Sequence, residues 1–170
     1  MIPVLETERL VLRAPSEEDF EADVVFYASD RSAGVGGPSP RDEVWRKLAA
    51  TLGHWVLRGY GFWSIDEKAT GAYCGRAGSH YPDGWPEPEI GWKLVAEAEG
   101  RGIAYEAALA ARRYAYETLG WTTAISLIGP GNTRSIALAL RLGATRDPDY
   151  DHPSYGTMEI YRHPSPEALA

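Results

Sequence analysis

The run Glu89-Ile-Gly-Trp-Lys-Leu-Val95, the turn Glu99-Gly-Arg-Gly-Ile-Ala104 and the helical spacing of Ile103, Ala107, Ala110 and Tyr114 together decide the fold. An extended segment enters a glycine turn and leaves as a helix that runs to about Leu119 and stops at Gly120. The same grammar repeats at once. Thr122 to Ile128 reads as a buried strand, Gly129-Pro-Gly-Asn132 as a turn, Ser135 to Leu142 as a helix and Gly143 as its C-cap. Two successive strand–turn–helix units predict an α/β sheet with a ligand site at the strand ends.

Outward from this centre, Phe62 to Asp66 and Ala72 to Ser79 are short extended runs joined by the hairpin-type segment Glu67 to Gly71. Further back lie two helical segments. One carries Phe20, Val24 and Tyr27 after Ser16-Glu17-Glu18-Asp19, and the other carries Trp45, Leu48, Leu52 and Trp55 before Gly59. The Gly/Ser/Pro-rich stretch 32–40 joins them as a loop. Arg9 to Arg13 alternates apolar and charged residues like a half-buried strand, and Ala144 to Arg162 holds two more strands around a turn-rich segment. Pro164 and Pro166 suggest that the tail leaves the fold.

The chain has 170 residues, 44% apolar and 24% charged, and a single domain over 1–170 is expected. A protein of this size buries roughly 70% of its unfolded surface, so it needs no disulfide or structural metal. That agrees with the lone Cys74 and with four scattered histidines that form no zinc-like cluster. The N-terminus lacks a secretory pattern and no apolar run is long enough to span a bilayer, which points to a cytoplasmic protein. Net charge is −7, which argues against a nucleic-acid partner and is compatible with an amine substrate.

Small residues at Gly100, Gly102 and Ala104 would let backbone N–H groups approach an anion at a helix N-terminus. A dinucleotide fingerprint would need glycine where Tyr105 stands, and a Walker loop would need a Gly-Lys-Ser/Thr ending. Neither pattern is met.

The turn resembles the acetyl-CoA pyrophosphate motif Gln/Arg-x-x-Gly-x-Gly/Ala of the GNAT N-acetyltransferase superfamily. Four further motifs occur in the family's order: Thr7-Glu-Arg-Leu-Val-Leu-Arg13, Gly75-Arg-Ala-Gly78, Glu89-Ile-Gly-Trp92, and Asn132-Thr-Arg-Ser135 with Leu142-Gly143. Together they cover roughly residues 5–163 and look most like the branch of ribosomal-protein N-terminal alanine acetyltransferases. The resemblance implies a mixed, mostly antiparallel, splayed sheet of about seven strands with about four helices.

It also implies direct transfer of acetyl from acetyl-CoA to a primary amine, on a protein N-terminus or a small molecule. The pantetheine arm would pair with the backbone of Trp92, Lys93 and Leu94. The N–H groups of Gly100, Arg101, Gly102, Ile103, Ala104 and Tyr105 would hold the pyrophosphate, with charge added by Arg101. Glu89 is the candidate base, and a backbone N–H near Trp92 would stabilise the carbonyl oxygen. Many relatives place a tyrosine acid seven residues after the motif asparagine, where this chain has Ala139; Ser135 is the suggested replacement, with Asn132 orienting the cofactor. Glu99 stands where the family has Gln or Arg, and its side chain is expected to face solvent.

The acceptor would enter between the loop 30–40 and the hairpin 147–156, where Asp147, Asp149 and Asp151 could attract a cation or form only a solvated loop. Tyr60, Trp63, Tyr81, Trp85 and Tyr155 could line a pocket or serve as core, and His80 ranks below Glu89 as a base. A catalytically weak acyl-CoA-binding or regulatory module is the competing reading. The exposed last strand and apolar helix surfaces would permit a homodimer.

Overall fold

The computed structural model describes all 170 residues. Its strands are β1 (Leu5–Glu6), β2 (Leu10–Arg13), β3 (Phe62–Glu67), β4 (Tyr73–His80), β5 (Glu89–Leu94), β6 (Ile125–Ile128), β7 (Thr145–His152) and β8 (Gly156–Arg162). Its helices are α1 (Phe20–Tyr27), α2 (Arg41–Arg58), α3 (Ile103–Glu117), α4 (Thr133–Arg141) and α5 (Pro166–Leu169). The eight strands form one sheet in the order β1-β2-β3-β4-β5-β6-β8-β7. All neighbours are antiparallel except β5 and β6, which run parallel and pair at a single position, Glu89 opposite Ile125. The expected splayed α/β sheet is present. The strand beyond the expected number is β1, a two-residue piece pairing back on Leu12 and Val11, and the added helix is the four-residue α5.

Alternation in the strands fixes two faces. On one, Leu10, Leu12, Trp63, Ile65 and Ala77 pack against Ile103, Ala107 and Ala111 of α3. The buried stripe of α3 also includes Ala108, Arg112 and Ala115, so Ala110 and Tyr114 lie at its margin and are only partly buried. Alanines along the stripe let the helix backbone settle close to the sheet.

The opposite face carries charge. Antiparallel register places Arg13 opposite Ser64, Ser64 opposite Arg76 and Arg76 opposite Lys93, all on one side. α1 and the turn that leads into it cover this row with Asp23 and Asp19. Asp19, 1% exposed, accepts from Arg13 Nη2 at 2.7 Å, Ser64 Oγ at 2.5 Å and the Ser16 N–H at 3.1 Å. A buried carboxylate is tolerable only with partners of this kind.

The tail stays in the fold further than its prolines suggest. His163 is buried, Arg112 Nη1 lies 3.2 Å from its Nδ1 and Ser126 Oγ lies 2.9 Å from its Nε2. A guanidinium only donates, so Nδ1 accepts and Nε2 carries the proton. Burial pushes the imidazole down to about 3, which keeps it neutral. The Tyr116 hydroxyl then donates to the Pro164 carbonyl at 2.9 Å, and the chain becomes exposed only near α5.

Candidate active site

Because β5 and β6 diverge after one paired position, the edge of β5 beyond Ile90 faces a wedge-shaped opening. Ser126 Oγ closes the narrow end by donating to the Ile90 carbonyl at 2.6 Å. Residues Trp92, Lys93 and Leu94 lie along this edge, where an extended ligand can pair with the strand.

At the wide end stands the glycine turn. Gly100 and Gly102 have φ of +70° and +76°, a left-handed backbone that only glycine adopts without strain. Six consecutive N–H groups, from Gly100 through Tyr105, make no hydrogen bond within the protein; the first one satisfied is that of Glu106, which donates to Gly102 O. Unpaired N–H groups at the N-terminus of a 15-residue helix form a site for a polyanion. The side chains contribute less. Ile103 is core, Tyr105 lies under the Arg141 guanidinium, and Arg101 turns away to pair with Glu67, so its charge is not at the turn as expected.

Glu99 does not face open solvent. Arg31, from the loop after α1, and Arg134, from the first turn of α4, both close on its carboxylate. The acid is outnumbered by two cations, and the local charge beside the turn is positive.

A cavity of about 640 Å³ sits at the narrow end of the wedge and brings Glu89, Trp92, Lys93, Asn132 and Ser135 together. Leu94 and the glycine turn lie outside its lining. Glu89 is buried, with Trp85 Nε1 donating to Oε2 at 2.7 Å and the Leu127 N–H donating to Oε1 at 3.1 Å. Burial pushes its carboxyl up to about 7, against the lowering effect of these two donors. Such a group can accept a proton near neutral pH.

Ser135 Oγ accepts from Trp92 Nε1 at 3.3 Å, leaving its own proton free to donate into the cavity. Asn132 caps α4, its Oδ1 accepting the Ser135 N–H at 3.3 Å, so it positions the serine before it can touch anything else. Ala139, at the position of the missing tyrosine, is wholly buried beside Ile128, Ala144 and Tyr161.

One side of the cavity is aromatic. His80 stacks on His54 with centroids 5.1 Å apart and stands 5.0 Å from Trp85. Burial and the neighbouring His54 push His80 down to about 4, so it is neutral and a weak base. Phe62 covers Gly91, where a Cβ would stand 3.0 Å from the ring. Tyr155 also lines the cavity, whereas Trp63 is core, Tyr60 packs on His54 and Trp121, and Tyr81 lies under Arg58. The loop 30–36 roofs the cavity, with Gly34 packed on the Asn132 amide and Gly36 against the Tyr155 ring.

The three acids of the hairpin are absent from the cavity. Asp147 pairs with Arg162, Asp149 with Arg146, and Asp151 accepts from Thr157. The charged residues that line it besides Glu89 are Lys47, Arg76 and Lys93. Of these, Lys47 lies in no motif, and Arg76 lies in Gly75-Arg-Ala-Gly78 without a role assigned to it. For Arg76 the signal is the alternation Arg76-x-Gly78-x-His80 opposite Glu89-x-Gly91-x-Lys93, charged residues and glycines on the face of a central strand where apolar ones are usual; Lys47, on α2, carries no such signal.

The family model of the acetyltransferase (GNAT) domain matches residues 9–145. A crystal structure of an acetyltransferase from Agrobacterium tumefaciens str. C58 is 41% identical, covers 96% of this chain and 95% of that one, and superposes with a TM-score of 0.89. The uncharacterized N-acetyltransferase YoaA of Bacillus subtilis (strain 168) is 25% identical over 152 residues, 86% of this chain and 85% of that protein. The ribosomal L7/L12 alpha-N-protein acetyltransferase RimL in complex with coenzyme A shares the fold, at 18% identity and a TM-score of 0.73 over 95% of this chain and 97% of that one. With the splayed strands, the free N–H groups and these likenesses in agreement, the chain belongs to the GNAT acetyltransferase family, enzymes that use acetyl-CoA.

Proposed function

We propose that residues 1–170 act as one N-acetyltransferase unit whose acceptor is a primary amine and whose working groups are Glu89 and Ser135. Acetyl-CoA supplies an activated acetyl thioester. The N–H groups of Gly100 to Tyr105 bind its pyrophosphate, and the free edge of Trp92 to Leu94 aligns its pantetheine arm. The observation that carries the reading is the buried carboxylate at the narrow end of the wedge, sharing one cavity with a hydroxyl whose proton is free.

An alkyl ammonium titrates at about 10, so it must lose a proton before its lone pair can attack. Glu89 takes that proton, directly or through water. With its carboxyl at about 7 instead of 4.5, the transfer is less uphill by about 3 kcal/mol. A backbone N–H near Trp92 stabilises the carbonyl oxygen as negative charge develops on it. As the C–N bond forms the nitrogen releases its second proton to solvent, and as the C–S bond breaks Ser135 gives its proton to the departing sulfur and recovers one from solvent. The products are the N-acetylated amine and coenzyme A.

The test is calorimetric titration with acetyl-CoA followed by a screen of amines for coenzyme A release. Micromolar binding with turnover on at least one amine supports the reading. Binding without turnover on any amine rejects it in favour of an acyl-CoA-binding module.

A further inference from the structure

We infer that the acceptor is an amino carboxylic acid, its amine directed to Glu89 and its carboxylate read by Arg76 and Lys93. This deepens the proposed acetyltransferase reading and rests on it.

Along the cavity face, β4 and β5 present three cross-strand rows: His80 with Glu89, Gly78 with Gly91, and Arg76 with Lys93. The outer rows are four residues apart, roughly 13 Å between backbones. The glycine row leaves the ground between them without side chains, and the long side chains at either end shorten the gap. One end is therefore a proton acceptor, the other a pair of cations, and all four polar side chains line the same cavity.

The cations are undersupplied with anions. Arg76 is 4% exposed and its Nε donates to Ser64 Oγ at 3.5 Å, but its Nη2 lies 2.8 Å from Asp23 Oδ2 at an angle that makes no hydrogen bond, leaving that end of the guanidinium without an acceptor. The neighbouring Asp19 is 3.8 Å from Arg76 and already committed to Arg13, Ser64 and Ser16. Asp23 Oδ1 meanwhile receives Lys93 Nζ at 2.6 Å and the Tyr73 hydroxyl at 3.0 Å. One carboxylate thus serves two cations and a phenol. A second carboxylate, brought by the substrate, would supply the acceptor that Nη2 of Arg76 lacks.

The same charges disfavour a polyamine or an aminoglycoside, whose extra ammonium groups would face Arg76, Lys93 and Lys47. The roof formed by the loop 30–36 against Asn132 and Tyr155 limits the acceptor to a small molecule. His54, Phe62, His80, Trp85 and Tyr155 make the walls, which suits an apolar or aromatic side chain.

The experiment compares matched acceptors on the wild-type enzyme at fixed acetyl-CoA: L-phenylalanine, L-leucine and L-methionine, each against its amide and its decarboxylated amine, with spermidine as the polycation. Coenzyme A release is followed and the product verified by mass. The expected result is a kcat/KM for the acids at least about tenfold above their amides, because a buried cation left unpaired penalises the neutral analogue. Lys93→Met should then pull that ratio toward one. This readout is internal to each preparation and does not depend on the amount of folded variant. Amides, amines or spermidine used as well as or better than the acids overturn this inference while leaving amine acetylation in place. Failure of every acceptor to give turnover overturns both.

Discussion

Replacing Glu89 with glutamine tests the base and the electrostatics of its burial together. The carboxyl sits at about 7 in the folded protein against an ordinary 4.5, so folding favours its protonated form. Its stabilising contribution is complete below pH 4.5 and is lost as pH rises through 7, a loss of about 3 kcal/mol. Glutamine removes that slope but has one oxygen for two donors, so either Trp85 Nε1 or the Leu127 N–H faces an NH2 group, at about 1–2 kcal/mol. The balance changes sign with pH. At pH 8 the variant should be more stable by about 1–2 kcal/mol, and at pH 4.5 less stable by a similar amount, with each kcal/mol worth about 2–4 °C in a chain of this length. Thermal melts across pH 4.5 to 8 read this directly. Coenzyme A release on any working amine should fall by about 10²–10⁴ in kcat/KM, with acetyl-CoA binding retained. The wild-type rise in kcat/KM through pH 7 should vanish in the variant. Wild-type turnover by Glu89→Gln would refute the base assignment, and a stability difference independent of pH would refute the burial argument behind it.

Ser135→Ala removes the proton donor and the acceptor of the Trp92 indole, and kcat should drop by about tenfold or more with acetyl-CoA affinity little changed, as stopped-flow or steady-state release would show. Gly102→Glu adds a Cβ to a left-handed backbone and an anion to the pyrophosphate cradle; calorimetry should show at least about tenfold weaker acetyl-CoA binding. Glu99→Gln frees Arg31 and Arg134 from their shared carboxylate, so acetyl-CoA should bind about threefold tighter at low ionic strength, and the gain should disappear in ~1 M salt. Asp19→Ala leaves Arg13 and Ser64 facing a buried gap, and urea unfolding should show a loss of about 3–5 kcal/mol.

Local chemistry written along the chain accounts for much of this protein. Residues 89–120 are a strand, a glycine turn and a helix because extended alternation, two left-handed glycines and an alanine-rich stripe each admit little else. The free N–H groups at 100–105 follow directly from that turn, so the proposed cofactor end of the site is legible in the sequence. Glu89 could be picked out by its motif, but its elevated carboxyl comes from complete burial between distant elements, which outweighs the lowering effect of the Trp85 and Leu127 donors.

What only the tertiary structure decided is pairing over long separations. The sequence could not say that Glu99 would be held by residues 31 and 134, that Arg101 would be spent on Glu67, or that the acids at 147, 149 and 151 would find partners away from the cavity. It also could not place Arg76 and Lys93 over one aspartate at the edge of the cavity, because that follows from β4–β5 register and the docking of α1. The physical reason is range. Backbone preferences and turn geometry act within a few residues, whereas the fate of a charge depends on which distant side chains folding brings within hydrogen-bonding reach.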